Sequence, residues 1–170
     1  LPPEKAGLIA TANYAGNTQF DFVITRPYWE SDGLPPGLWT DTPIERAFAT
    51  QNRRNDGRML KVWLNGDGAR RVETLPAAEQ AHYVQQTLER LRPAMRGALR
   101  FVTRTSWTGD PLFQGEKFYF VPGQVHAYFP HMGTPVGRLH FAGAHHRNVD
   151  QGMEAAVQSG ERVALEILTG

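Results

Sequence analysis

Gly137-Arg138-Leu139-His140-Phe141-Ala142-Gly143 and, after a short polar loop, Gln151-Gly152-Met153-Glu154-Ala155-Ala156-Val157-Gln158-Ser159-Gly160-Glu161-Arg162 decide how this chain is read. The first stretch has the pattern of a strand, Arg138–Ala142, that stops at a glycine. The second opens a helix, Gln151–Leu168, whose first turn is rich in small residues and whose apolar set, Met153, Ala156, Val157, Gly160, Ala164 and Ile167, is predicted to be buried. Small residues let a ligand approach the backbone, and the free N–H groups and positive dipole end of a helix N-terminus suit an anionic or electron-rich group.

Upstream, Leu8–Tyr14 and Thr18–Thr25 are rich in β-formers around the turn residues Ala15-Gly16-Asn17, which predicts a hairpin or two neighbouring strands. Arg26–Pro36, with Pro27, Asp32-Gly33 and Pro35-Pro36, reads as a loop. Ile44–Gln51 and Arg58–Leu64 flank Asn52–Gly57 as a second hairpin that ends at Asn65-Gly66-Asp67-Gly68. A helix is predicted from Pro76, with Ala81, Val84, Leu88, Leu91 and Met95 on one buried stripe, Glu79, Gln85, Glu89 and Arg92 on the wet faces, and Pro93 marking its end. Leu99–Thr105 returns to strand, Trp107–Gly115 to loop, and Pro122-Gly123-Gln124 opens a short helix through His131. The pattern is α+β, or mixed α/β: an antiparallel-sheet portion over residues 1–105, then a closing strand and helix over residues 106–170.

The chain has 170 residues, 41% of them hydrophobic, enough for a packed core. A net charge of +1 with mixed signs leaves no electrostatic footprint for nucleic acid or an anionic membrane. Arg53-Arg54, Arg70-Arg71 and the series Arg90, Arg92, Arg96 and Arg100 read as solvated faces. No run reaches the about 18 apolar residues of a membrane span, so the chain is expected to be soluble. Without cysteine there is no disulfide, thiolate metal site or cysteine nucleophile. His126, His131, His140, His145 and His146 lack the helical spacing of a metal site, so no metal is expected. Ser106 and Ser159 lack the glycine-flanked elbow of a serine hydrolase, and Glu30 and Asp32 beside Trp29 read as a solvated turn rather than an acid/base pair. The chain opens on Leu1-Pro2-Pro3, which reads as a processed or truncated product, and it contains no G-x-G-x-x-G loop.

The closing signature resembles that of the flavin-containing amine oxidases and L-amino-acid oxidases. The resemblance extends to Tyr28-Trp29-Glu30-Ser31-Asp32-Gly33, Thr40-Asp41-Thr42-Pro43, Ser106-Trp107 with Asp110-Pro111 and Gly115, and Pro122-Gly123-Gln124, in the family's order. It implies a substrate-binding portion joined to the last strand and helix of a Rossmann-like FAD-binding domain. It also implies that Gly143 and Ala144 present backbone N–H groups to the ribityl-pyrophosphate of FAD. Met153 would sit where a helix N-terminus stabilises charge on the flavin, Trp107 would pack on its ring, and His145 would contact the cofactor or support the loop.

The departures from the family are as informative. Ala144 replaces the usual Glu, and Gln19 stands at the lysine that holds a water near flavin N5. Lys117 and Gly152 occupy positions that often carry two facing aromatics. Glu116 replaces the cysteine that tethers flavin in some members, so FAD is expected to be non-covalent. Lys117 is either a binding group for an anionic substrate or a solvated loop lysine. Gln19 and Lys117 are thus the candidate catalytic residues, and Trp107, Gly143, Ala144, His145, Gly152 and Met153 the candidate cofactor-binding ones. The expected partners are the N-terminal FAD-binding half, in the same precursor or a separate chain, and a small amine or amino-acid substrate, in an arrangement compatible with a homo-oligomer. The implied activity is oxidation of a C–N bond to an imine by hydride transfer to flavin, with O2 as acceptor. The alternative is a non-catalytic flavin-binding or assembly module on the same fold.

Overall fold

The computed structural model describes residues 1–51, 58–146 and 152–170. They form two compact units, Tyr14–Lys117, and Leu1–Asn13 together with Phe118–Gly170. The expected division after residue 105 falls earlier than the boundary at Lys117. The Trp107–Gly115 loop is tied into the first of these units: the Trp107 N–H donates to the Asn17 carbonyl at 3.0 Å, and the Glu116 N–H to that of Ala15 at 2.9 Å. Short strands β1 (Asn13–Ala15) and β7 (Lys117–Tyr119) run through the two junctions.

Tyr14–Lys117 is built on a five-stranded antiparallel sheet in the order β3-β4-β5-β2-β6. Its members are β2 (Asn17–Ile24), β3 (Leu38–Trp39), β4 (Arg46–Gln51), β5 (Arg58–Asn65) and β6 (Leu99–Ser106). The expected α+β mixture is what the chain forms. β2 pairs with β5 and β6, so Ala15-Gly16-Asn17 is not a hairpin turn. The expected Asn52–Gly57 turn lies outside the described residues.

Period-two alternation sends Phe20 and Phe22 of β2 and Leu60, Val62 and Leu64 of β5 into the core, all fully buried. A bulge in β6 keeps this sorting intact. Asp21 pairs with Thr103 but Phe22 pairs with Phe101, so the extra residue Val102 flips the side-chain parity. Leu99 and Phe101 therefore lie on the face of Phe22, while Thr103 and Thr105 share the face of Asp21 and Gln19.

Helices α3 (Gly66–Glu73) and α4 (Ala77–Leu91) cover the apolar face. The stretch Asn65–Gly68, expected to end a hairpin, instead opens helix α3, although Gly66 and Gly68 have low helix propensity. Burial of Ala69 and Val72 in the core overrides that propensity, and Gly68 is required because a Cβ there would stand 2.3 Å from the Pro43 carbonyl oxygen. In α4, Val84 and Leu88 are buried as expected, and Met95 is buried in the 3-10 turn that follows. Leu91 is instead exposed, and Gln80 and Thr87 complete the inner face.

The Arg26–Pro36 segment holds a short helix, α2 (Trp29–Asp32), where loop was expected. Its cause is Arg92, expected on a wet face but 7% exposed. The guanidinium donates to both Asp32 carboxylate oxygens at 2.7 and 2.8 Å and to the carbonyls of Leu34 and Pro35, while lying over the Tyr28 ring at 4.8 Å. One cation thereby fixes a proline-rich segment onto the core. Burial pushes the Tyr28 hydroxyl up to about 12, and the Arg92 hydrogen bond pulls Asp32 down to about 2.

In the other unit, helix α1 (Pro3–Ala10) takes in the start of the strand expected over Leu8–Tyr14, of which only Asn13 and Tyr14 are extended, in β1. Pro3 at the first helical position and Glu4 in the first turn suit a helix start, and Lys5 and Leu8, three apart, form its buried side. Helix α5 (Gln124–Tyr128), the turn Phe129–His131 and helix α6 (Met153–Thr169) follow the sequence reading in type. The expected strand Arg138–Ala142 does not form. Val136 and Leu139 make an isolated bridge, and the Phe141 carbonyl accepts from the Arg162 side chain at 2.6 Å instead of from a neighbouring strand.

Replacing Arg92 with Met leaves Asp32 and the Leu34 and Pro35 carbonyls without their donor, and is expected to lower the urea-unfolding free energy by about 2–3 kcal/mol. The pH arm has a defined sign. The folded-state pKa of Asp32, about 2, lies below an unfolded value of about 3.9, so the pair's contribution is full above pH ~4 and lost as pH falls through about 2. The wild-type protein should lose stability over that window more steeply than the R92M variant.

Candidate functional site

On the sheet face turned away from α3 and α4, the pairing registers align one row across all five strands: Trp39, Arg46, Trp63, Gln19 and Thr105. The next row is Phe48, Lys61, Asp21 and Thr103. The Arg46 guanidinium lies 4.3 Å from the Trp63 ring, 5.1 Å from Trp39 and 5.8 Å from Phe48, a cationic platform between aromatic faces. Lys61 pairs with Asp21 at 2.8 Å.

Candidate residue Gln19 sits in the centre of this face and donates through Nε2 to Asn17 Oδ1 at 3.0 Å. Asn17 is fully buried. Its Nδ2 donates to Asn65 Oδ1, and its carbonyl accepts from the backbone N–H groups of Trp107 and Thr108 and from the Thr108 hydroxyl. Asn17 therefore links Gln19 and Trp107, two residues far apart in sequence. The Trp107 ring packs edge-on against Phe113 at 5.0 Å.

Beneath the same loop, the Glu73 carboxylate accepts from Thr18 at 2.7 Å, from Ser106 at 2.6 Å and from Arg104. Burial pushes Glu73 up, but the hydrogen bonds from Arg104, Ser106 and Thr18 outweigh it and leave the carboxyl below its ordinary value. Ser106 in turn accepts from the Gly109 N–H, which sets the loop that carries Trp107. Gly115 closes the loop at φ +153°, where a Cβ would stand 2.8 Å from the Ala15 carbonyl. Lys117 is exposed in β7.

The sequence reading missed Asn17, Lys61, Trp63 and Arg46. In the sequence, Asn17 carries only the signal of turn chemistry. The other three were visible only as strand residues, because which of them share a row with Gln19 depends on pairing register.

In the unit formed by Leu1–Asn13 and Phe118–Gly170, Gly143 adopts φ +145°, and the Ser159 hydroxyl clasps it. The hydroxyl accepts from the Gly143 N–H at 2.8 Å and lies 3.1 Å from the Gly143 carbonyl. With its N–H engaged, Gly143 offers a bare backbone surface rather than a free donor. Ala144 opens the 3-10 turn Ala144–His146. His145 lies 5.2 Å from the Phe118 ring, and burial lowers its pKa. Burial, reinforced by His145, Arg162 and Lys5, lowers His146 to about 4, so its ring stays neutral at physiological pH.

Lys5, only 3% exposed, supports this region by donating to the His131 and Met132 carbonyls while lying 3.9 Å from the Phe141 ring centre. Burial and Arg162 lower its pKa. Gly152, at φ +66°, precedes the first turn of α6, and Met153 is 87% exposed.

The apolar residues of α6 do not lie as expected. Ala155 and Ser159 are buried, whereas Met153, Val157, Ile167 and Leu168 are exposed.

Known proteins resemble the chain along nearly its whole length. The model of the flavin containing amine oxidoreductase family matches residues 1–168. An L-amino-acid oxidase of Demansia vestigiata is 27% identical over 98% of the chain, and one of Daboia siamensis 25% identical over 98%. The chain spans 34% and 42% of those two proteins. Among solved structures, a putrescine oxidase triple mutant superposes with a TM-score of 0.86 at 22% identity over 99% of the chain and 38% of its own. Cyclohexylamine oxidase from Brevibacterium oxydans IH-35A does so at 0.75 and 19% identity, over 96% of the chain and 39% of its own. The chain belongs to the flavin containing amine oxidoreductase family.

Asn17→Ala leaves Gln19 Nε2 and Asn65 Oδ1 without the bonds they make to Asn17 but keeps the carbonyl that holds Trp107. It is expected to cost about 1–3 kcal/mol in urea unfolding, with the backbone amide of Trp107 still protected in hydrogen exchange.

Proposed function

We propose that this chain is the substrate-domain portion and closing segment of an FAD-dependent amine or amino-acid oxidase, with FAD held non-covalently. The observation that carries the reading is the family match over residues 1–168, together with the anchoring of Gln19 and Trp107 through one buried Asn17. The remainder of the same precursor, or a second chain, supplies the nucleotide-binding part. The chain's span of about a third of its curated relatives supports this, as does the exposed apolar stripe of α6, which no described residue covers.

The residues present fit a flavin. Gly143 holds a backbone conformation that disfavours side chains and leaves room for close approach, and the Ser159 clasp keeps it in place. Ala144 and His145 extend that surface. Gly152 and Met153 begin a helix of 17 residues whose dipole favours negative charge at its start. Glu116 at the tethering position offers no thiol, which favours non-covalent binding.

Bound flavin would supply a hydride acceptor, so that the C–H bond beside an amine nitrogen is oxidised to C=N and dioxygen takes the two electrons as hydrogen peroxide. The chain's own groups orient and exclude. Trp107 gives a fixed aromatic wall, and Gln19 gives a neutral hydrogen-bonding group where a lysine is usual. Lys117 is available to an anionic substrate group because it is exposed and points from a strand end rather than from the core.

The test is expression of residues 1–170 alone beside the complete precursor. The isolated chain should be colourless and inactive. The complete protein should be yellow, release its flavin on denaturation, bleach anaerobically with an amine or amino acid, and form peroxide in air. A yellow, active preparation of residues 1–170 would overturn the division of labour. Tight flavin binding with no bleaching by any amine or amino acid would favour the non-catalytic module.

A further inference from the structure

The polar face around Gln19 contains a chain of side-chain hydrogen bonds that all run one way. Lys61 Nζ donates to Gln19 Oε1 at 3.5 Å, and Gln19 Nε2 donates to Asn17 Oδ1 at 3.0 Å. Asn17 Nδ2 donates to Asn65 Oδ1 at 2.7 Å, and Asn65 Nδ2 donates to Glu45 Oε2 at 2.6 Å. The chain begins at an ammonium, which can only donate, and ends at a carboxylate, which can only accept. Three amides lie between them. Turning any one over would set oxygen against oxygen on one side and N–H against N–H on the other, so the two charged ends fix the orientation of all three.

This has a consequence for Gln19. A free glutamine offers a carbonyl and an amide with equal ease, and would accept from an ammonium group as readily as it donates to a carboxylate. Here the carbonyl oxygen faces the Lys61 ammonium, which repels a second cation from its remaining lone pair, and one of the two amide hydrogens is spent on Asn17. The second amide hydrogen has no partner among the described residues. Gln19 is part-exposed in the middle of the row between Trp63 and Thr105, so that hydrogen is what the open sheet face presents.

Resting on the oxidase reading above, we propose that the chain Lys61–Gln19–Asn17–Asn65–Glu45 locks Gln19 as a hydrogen-bond donor, so that this face receives the carboxylate of an amino-acid substrate and rejects an ammonium group. Lys61, Asn17, Asn65 and Glu45 are positioning residues that act through Gln19. The ammonium of Lys61 adds attraction for an anion, although Asp21 at 2.8 Å offsets part of it.

The experiment is calorimetric titration of the complete protein with propionate and, separately, with propylammonium, flavin content being recorded independently by absorbance. Wild type should bind propionate more tightly than propylammonium. Gln19→Glu, nearly isosteric, turns the donor into an acceptor and should reverse that order. Lys61→Met frees the amide and should weaken propionate about tenfold, the loss of one hydrogen bond to a charged group. Lys61→Arg, which still donates, should bind within about twofold of wild type. Circular dichroism confirms that each variant is folded, and a purely structural role for Lys61 would not discriminate between the two probes. Equal propionate affinity in wild type, Q19E and K61M, or a wild-type preference for propylammonium, overturns the proposal. A protein free of flavin that shows the full pattern sinks the oxidase reading and leaves this one standing. A flavin-loaded amine-bleaching protein without the pattern does the reverse.

Discussion

Strand β2 is hydrogen-bonded on both sides, to β5 and to β6, and that double pairing constrains everything built around it. A strand with two neighbours cannot slide or rotate, so the alternation of its side chains becomes a fixed division of labour. Phe20 and Phe22 are committed to the core under α3 and α4, and Asn17, Gln19 and Asp21 to the opposite face. A slip of one residue would bury Gln19 and Asp21 against Val84 and Leu88 and expose both phenylalanines. The hydrophobic requirement of one face therefore sets the chemistry of the other, and the bulge at Val102 lets the edge strand β6 serve both.

The unit of Leu1–Asn13 and Phe118–Gly170 solves a different problem. Its backbone from residue 131 to residue 143 is largely without regular structure, and a buried carbonyl with no partner costs as much as a lost hydrogen bond. Side chains take over where a sheet would have served. Lys5 reaches the carbonyls of His131 and Met132, Arg162 reaches those of Gly133 and Phe141, and Ser159 satisfies Gly143. Arg162 is itself held by Glu166, which also binds His140 at 3.1 Å. The segment thus has a defined path without strand pairing, and its glycine keeps a conformation that a sheet would not have imposed.

These two solutions explain which parts of the structure were legible in the amino-acid order. Strands β2, β4, β5 and β6 and helix α4 carry strong periodic patterns, and the structure forms them. The closing motif pointed to the Gly143 turn and the α6 start because its wording is family-specific. Helix α3 was not legible, since its glycines argue against a helix and only the burial of Ala69 and Val72 argues for one. Arg92 could not be told from its solvated neighbours, because nothing in the spacing of arginines reveals that Asp32 and two carbonyls converge on one of them. The Arg138–Ala142 pattern is that of a strand, yet a strand needs neighbours, and propensity does not supply them. The α6 stripe was read correctly as apolar and wrongly as covered: the pattern reports a helix face that wants a partner, not whether the chain contains one.

The site divides along the same line. Gln19 and Trp107 are singled out by motif, but the residue that joins them, Asn17, has the look of a turn former, because Asn is the same letter in a turn and at a buried junction. Its importance comes from having four hydrogen-bonding partners in different strands and loops, a property of register rather than of sequence. The polarity of Gln19 lies one step further from the letters. It depends on Lys61 in β5 and on Glu45, just before β4, which are joined through three intervening amides. Whether a glutamine donates or accepts is settled at the ends of its network, so a neutral amide at this position is not indifferent to charge. The nearest charge lies one strand away, on Lys61, and the direction in which Gln19 offers its hydrogen bonds is the direction that charge imposes.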